Sequence, residues 1–163
     1  MPAETVSQNH SKFMREAIRL SRQHMRQNDG GPFGAVIVHN GKIVGRGWNR
    51  VTSANDPTAH AEISAIRDAC RKLKTFHLDG CKIYVSCEPC PMCLAAIYWA
   101  RLDKIFYANT RKDAAWIQFD DELFYREINL PISRRKIRMK QLLHPEALKV
   151  FAEWDSRPDR LKY

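Results

Sequence analysis

Three cysteines fall at three-residue intervals in the segment Cys87-Glu88-Pro89-Cys90-Pro91-Met92-Cys93, and nothing else in the chain restricts its folding so sharply. Proline has no backbone N–H to give and is tolerated in a helix only in the first turn. The segment therefore predicts a helix from Pro91 to about Arg101, with Cys90 as its N-cap and Cys93 inside the first turn. Free amides and the positive helix end stabilise thiolates at both positions. A second segment, His60-Ala61-Glu62, opens another predicted helix. Thr58 is a good N-cap residue there. His60 then lies in the first turn, where the positive helix end favours the neutral ring.

Neutral imidazole and thiolate are the forms that bind zinc. Three such ligands from two helix N-termini leave one tetrahedral position for water, as in a catalytic site. A structural site usually has four protein ligands, and Cys87 is the candidate fourth beside His60, Cys90 and Cys93. Glu62, two residues beyond His60, can stand near the metal without binding it. Alone it complements the helix dipole; beside a metal-activated water it is a proton shuttle.

Around these segments helices and strands alternate. Phe13, Ala17, Leu20 and His24 form one stripe of a helix over about 11–27, stopped by Asn28-Asp29-Gly30-Gly31-Pro32. Residues 34–39 and 42–45 flank Asn40-Gly41, a strong hairpin signal because both turn residues need positive φ. A polar loop over 49–57 precedes a helix over about 59–74, with Ile63, Ile66, Cys70 and Leu73 as its buried stripe. Strands follow over 82–86 and 104–108. The stretch 113–129 is partly helical, residues 136–142 alternate as an exposed strand would, and a last helix spans 144–155. The pattern implies a layered α/β domain without repeats or linkers.

The ordered pair His60-x-Glu62 and Pro89-Cys90-x-x-Cys93 is the signature of zinc-dependent nucleobase deaminases. The chain resembles the cytidine-deaminase-like superfamily, and within it the small bacterial-type guanine deaminases. The resemblance runs through residues 30–38, 55–62, 86–93 and 96–101, and through Phe119-Asp120-Asp121. It implies a three-layer α/β/α fold with a mixed five-stranded central sheet, over a single domain spanning 1–163. It implies one zinc per subunit on His60, Cys90 and Cys93, a homodimer, and hydrolysis of guanine to xanthine and ammonia. Glu62 is then the proton shuttle. The Ala61 amide faces the substrate, Asn49 hydrogen-bonds the purine, and Phe33 packs on it. Asp121 reads guanine's N1–H and 2-amino donors, with a possible second shuttle role. Residues 144–163 are expected to cross to the partner subunit, so that Tyr163 closes its pocket. Asn49 in an ordinary turn and 120–122 as a solvated acidic run are the plain alternatives.

Composition sets the outer limits. Hydrophobic residues at 44% and charged residues at 28% exclude a disordered chain. The longest strongly apolar run, residues 94–100, is too short to span a bilayer, and residues 1–17 lack the apolar core of a secretory signal. Five cysteines, three of them clustered, suit a reducing compartment, so a cytoplasmic protein without membrane attachment is expected. The net charge of +9 favours an anionic partner in principle. Residues 126–163 hold ten basic against five acidic side chains, and Arg134, Arg135, Lys136, Arg138 and Lys140 surround Ile137 and Met139. This run reads as a solvated face that resists strand pairing. A small purine is the expected partner rather than nucleic acid. Competing readings are a guanosine deaminase, a tRNA adenosine deaminase, and a non-enzymatic nucleic-acid-binding module stabilised by zinc.

Overall fold

The computed structural model describes residues 3–162, with side chains from residue 9 onward. Two compact units divide the chain, Met1–Asp121 and Glu122–Tyr163. In the first, helix α1 (Ala3–Arg26) precedes the hairpin of β1 (Gly34–His39) and β2 (Lys42–Trp48). Asn40 and Gly41 turn the hairpin with φ of 47° and 75°, the conformation that its sequence demands. The short helix α2 (Val51–Ala54) interrupts what the sequence reads as a plain polar loop. Then come α3 (Ala61–Leu73), β3 (Cys81–Cys87), α4 (Pro91–Trp99), β4 (Lys104–Asn109) and α5 (Arg111–Trp116).

The sheet order is β2-β1-β3-β4. β1 runs antiparallel to both neighbours, whereas β3 and β4 are parallel, so the sheet is mixed. Side chains alternate across it with the two-residue period of a strand. Val36, Val38 and Tyr84 meet Phe13, Ala17 and Leu20 of α1 on one face. Ala35, Ile37, Ile83 and Val85 meet Ala61, Ala65, Ala69 and Ile97 on the other. This is the three-layer α/β/α arrangement.

Four strands are present among the described residues, one fewer than the resemblance implies. Residues 136–142 form no strand; they are an exposed irregular segment in the second unit, after a 3-10 turn at Ile132–Arg134. Alternation makes a segment compatible with an extended backbone, but a strand also requires a neighbour for its N–H and C=O groups. The second unit otherwise holds α6 (Glu122–Asn129) and α7 (His144–Ser156). Arg135 there donates to the carbonyls of Leu130 and Ile128, which ties the basic run to the end of α6.

The buried face of α3 also departs from the pattern of large side chains. Ala61, Glu62, Ala65 and Ala69 are buried, Ile66 and Cys70 are partly so, and Leu73 is exposed. Two glycines of β2 explain the rotation. A Cβ at Gly47 would overlap the Ala61 carbonyl oxygen and the Ala65 nitrogen, and one at Gly45 would come 2.6 Å from the Ala65 oxygen. Helix and strand lie so close that only small residues fit between them. That contact fixes the height of the first turn of α3 over the sheet.

Candidate metal centre and active site

Helices α3 and α4 begin in nearly the same way. Their N-cap residues are His60 (φ −68°, ψ 161°) and Cys90 (φ −66°, ψ 167°), and neither side chain caps its own helix. Cys90 is the expected N-cap; His60 replaces Thr58 in that role. The Asp56 carboxylate accepts from the Thr58 amide at 2.8 Å and from its hydroxyl at 2.7 Å, so Thr58 belongs to the preceding turn. His60 therefore lies just before the first turn, still at the positive helix end. Cys93 follows at the third position of α4 and is fully buried.

These three side chains converge. The Nδ1 atom of His60 lies 3.6 Å from Cys90 Sγ and 3.5 Å from Cys93 Sγ. All three donor atoms fall within 4.8 Å of one another. Tetrahedral zinc bound about 2.05 Å from nitrogen and about 2.3 Å from sulfur sets an N···S separation near 3.6 Å. Both measured separations agree with that value, and two thiolates with an imidazole are a zinc-type donor set. The residues fit the metal. Cys87 does not join them: its thiol points to the Thr110 carbonyl at 3.6 Å, and burial pushes it up to about 11. Cys90 is held down to about 4, first by the hydrogen bond from Cys93, with His60 adding to the effect. Cys93 is pushed up by the same hydrogen bond and by burial. His60 is raised by its hydrogen bond to Cys90. Of these groups Cys90 is therefore the one most readily ionised.

Glu62 occupies the second position of α3, buried to 7% exposure. Desolvation raises its carboxyl above the usual carboxylate range, while its own backbone amide and the Cys93 thiol hydrogen-bond to it. Ala61, at the first helical position, has a backbone N–H with no acceptor inside the helix.

Asn49 is buried immediately beyond β2. Its Oδ1 accepts from the amides of Gly31 at 3.1 Å and Val51 at 3.2 Å. Two amides aimed at one terminal atom identify that atom as oxygen, so the Nδ2 group remains as a donor. The Asx-type turn to Val51 is real and leaves half of the carboxamide for another task. Phe33, half-buried, meets the edge of Phe119 with centroids 5.0 Å apart and planes at 85°. This contact brings the Phe119-Asp120-Asp121 segment to the loop that precedes β1. Asp121 is half-buried, and desolvation raises its carboxyl; the charge of Cys90 pushes the same way and Arg111 opposes it. Tyr163 lies outside the described residues.

Sequence reasoning passed over Phe119 as a ring partner and over Trp48 altogether, and placed His24 only in a helix stripe and Asp29 only in the turn that stops it. His24 bridges to Asp29 at 2.6 Å and stacks on Trp48 with centroids 3.7 Å apart. A histidine near a helix end with an aspartate five residues later was the visible, weak signal.

Residues 7–109 match the cytidine and deoxycytidylate deaminase zinc-binding region. The chain is 48% identical over 155 residues to guanine deaminase of Bacillus subtilis, covering 95% of this chain and 99% of that protein. The X-ray structure of guanine deaminase from Bacillus subtilis superposes with a TM-score of 0.90 at 46% identity, covering 100% of this chain and 99% of that one. A tRNA-specific adenosine deaminase of Buchnera aphidicola is 35% identical over 148 residues, covering 91% and 95%. With its zinc-type donor triangle and this extent of similarity, the chain belongs to the cytidine and deoxycytidylate deaminase family of zinc-binding proteins.

Proposed function

We propose that the chain hydrolyses guanine to xanthine and ammonia, with zinc held by His60, Cys90 and Cys93. One observation carries the reading: a three-donor metal site shares its setting with a buried carboxyl that is not a ligand. Similarity to a guanine deaminase along nearly the whole chain selects the substrate.

Bound zinc supplies Lewis-acid chemistry that makes a water acidic near neutral pH. The residues of the chain perform the rest. Glu62 takes the proton released as oxygen bonds to C2 of guanine. It hands that proton to the ring nitrogen, then takes the proton of the new C2 hydroxyl and passes it to the departing amine as the C2–N bond breaks and the C2 carbonyl forms. Burial supports this assignment, because a carboxyl raised above the ordinary carboxylate range holds a proton more readily and can return it. The Ala61 amide is available to an acceptor on the substrate. Asn49 presents only its NH2 group and so suits an acceptor on the purine, such as its carbonyl or a ring nitrogen. Asp121 accepts from N1–H and the 2-amino group and serves as a second route for protons. Phe33, steadied by Phe119, packs on the ring.

The assembly we infer is a homodimer. Tyr98, Trp99 and Tyr107 are 76%, 70% and 53% exposed, large aromatic side chains that a partner subunit would cover. In that dimer, residues 144–163 cross to the partner and Tyr163 closes the neighbouring pocket. All five cysteines are free, as in a reducing cytoplasm. Among the described residues, no helix is long and apolar enough to cross a membrane.

Similarity to a tRNA-specific adenosine deaminase over 91% of the chain keeps a second reading open to experiment. Ammonia release from guanine, guanosine, adenine, cytosine and tRNA decides between them. We expect turnover of guanine; none with guanine, but good turnover with guanosine or tRNA, would falsify the assignment.

A further inference from the structure

The turn between α1 and β1 is tied to the segment after β2 at four points, and Asn49 stands in the middle of them. Helix α1 closes with Asn28 in the left-handed region at φ 57°. The Asn28 amide donates to the Met25 carbonyl at 3.1 Å and the Asp29 amide to the His24 carbonyl at 3.1 Å, the paired bonds of a Schellman motif. The carbonyl of Asp29 then accepts from the Ser53 amide at 3.3 Å and the Thr52 hydroxyl at 3.2 Å. Gly31 donates to Asn49 Oδ1, and the Asn49 amide donates to the Phe33 carbonyl at 3.0 Å. At Gly30 the backbone passes so close that a Cβ would overlap both oxygens of Asn49. The carboxamide is seated in the turn, and its orientation depends on where the turn lies.

The outer end of this zipper is closed by His24. Its Nδ1 meets Asp29 Oδ2 at 2.6 Å, with the two side chains only 12% and 32% exposed. Its ring lies flat on the Trp48 indole, centroids 3.7 Å apart and planes within 5°. Trp48 immediately precedes Asn49, and its Nε1 is buried without a hydrogen-bond partner. A buried indole N–H without an acceptor is costly, so stacking rather than hydrogen bonding accounts for where this ring sits. One imidazole therefore grips both sides of Asn49, the turn through Asp29 and the strand end through Trp48.

We infer that His24 is a positioning residue for substrate recognition: by bridging Asp29 and stacking on Trp48 it holds the Asn49 carboxamide in its purine-reading orientation. This rests on the reading of Asn49 as a purine contact. His24 touches neither the metal ligands nor Glu62 through any of these contacts, so its effect falls on binding rather than on the chemical step.

The experiment measures KM, kcat, zinc content and melting temperature for His24→Ala, His24→Gln, Asn49→Ala and the double variant His24→Ala/Asn49→Ala. Full zinc content, a KM for guanine raised about five- to tenfold and a kcat within about twofold are expected of His24→Ala. His24→Gln can still donate to Asp29 but cannot stack as an imidazole does, and its KM should fall between. Because His24 works through Asn49, adding His24→Ala to Asn49→Ala should leave KM unchanged. A lowered melting temperature with unchanged KM in both His24 variants overturns the proposal, as does loss of zinc or an additive double variant. Unchanged KM in Asn49→Ala removes the purine contact itself and the proposal with it. A raised KM there, with none in the His24 variants, refutes the positioning role alone.

Discussion

Glu62 shows how much one position can decide. It is two residues from His60, on the second helical position of α3, and buried against the metal-binding side chains. Replacing it with glutamine keeps the shape and one acceptor oxygen but removes the ionisable carboxyl. Glu62→Gln should retain zinc and lose turnover by about 10²–10⁴-fold; metal analysis with single-turnover assays checks both halves. Zinc loss instead would make Glu62 a structural residue. The cluster of His60, Cys90 and Cys93, with Glu62 beside it, was legible because residue type and spacing carry it. The pairing of His24 with Trp48 was not, because a stack between residues on α1 and β2 leaves no local pattern.

The site also depends on how elements approach each other. Gly45 and Gly47 let α3 settle on β2, and this sets the height at which His60 and Glu62 emerge. Gly47→Val must push the first turn away, because backbone atoms cannot give as a side chain can. Destabilisation of about 1–3 kcal/mol is expected, together with weaker zinc retention. Denaturant titration and metal analysis test this, and unaltered values for both would show that the close approach is dispensable. A second link joins α1 to the same strand at Arg46, between the two glycines: Glu16 accepts from Arg19 at 2.7 Å and Arg46 at 3.0 Å. Those guanidiniums, Arg19 first, hold its carboxyl down to about 2, below its ordinary 4.5. Since the folded value is the lower one, the contribution is complete above pH about 4.5 and is lost as pH falls toward 2. Glu16→Gln should cost less than about 1 kcal/mol at neutral pH and flatten the acid limb of the stability curve. An acid limb identical to the parent's would refute the link. Helical and strand periods announced both elements, but the true face of α3 was hidden, since alanine against glycine is too small a signal for a pattern of large residues.

At the scale of the molecule, the charge of +9 and the C-terminal residues pose one question: what the second unit does. The basic run lies in an exposed segment without a strand, so its alternation describes a solvated chain rather than a sheet edge. If the tail completes a partner's pocket, deleting residues 160–163 should raise KM for guanine or lower kcat, while leaving zinc content intact. Identical kinetics in the truncated protein would end that idea. Weak tRNA binding that disappears with added salt is expected from the charge alone and would not show recognition of sequence.

The amino-acid sequence by itself determined the candidate metal donors, the carboxyl two residues beyond His60, the hairpin and the alternation of helices with strands. Each is written in residue type and short spacing, and short-range chemistry acts on neighbours along the chain. Only the tertiary structure decided that His60 rather than Thr58 occupies the N-cap position, that alanines rather than larger side chains face β2, and that residues 136–142 form no strand. It also decided that Asn49 is gripped through His24, Asp29 and Trp48. Those outcomes depend on which atoms from distant segments compete for the same space or the same hydrogen bond, and that competition begins only once the chain has closed.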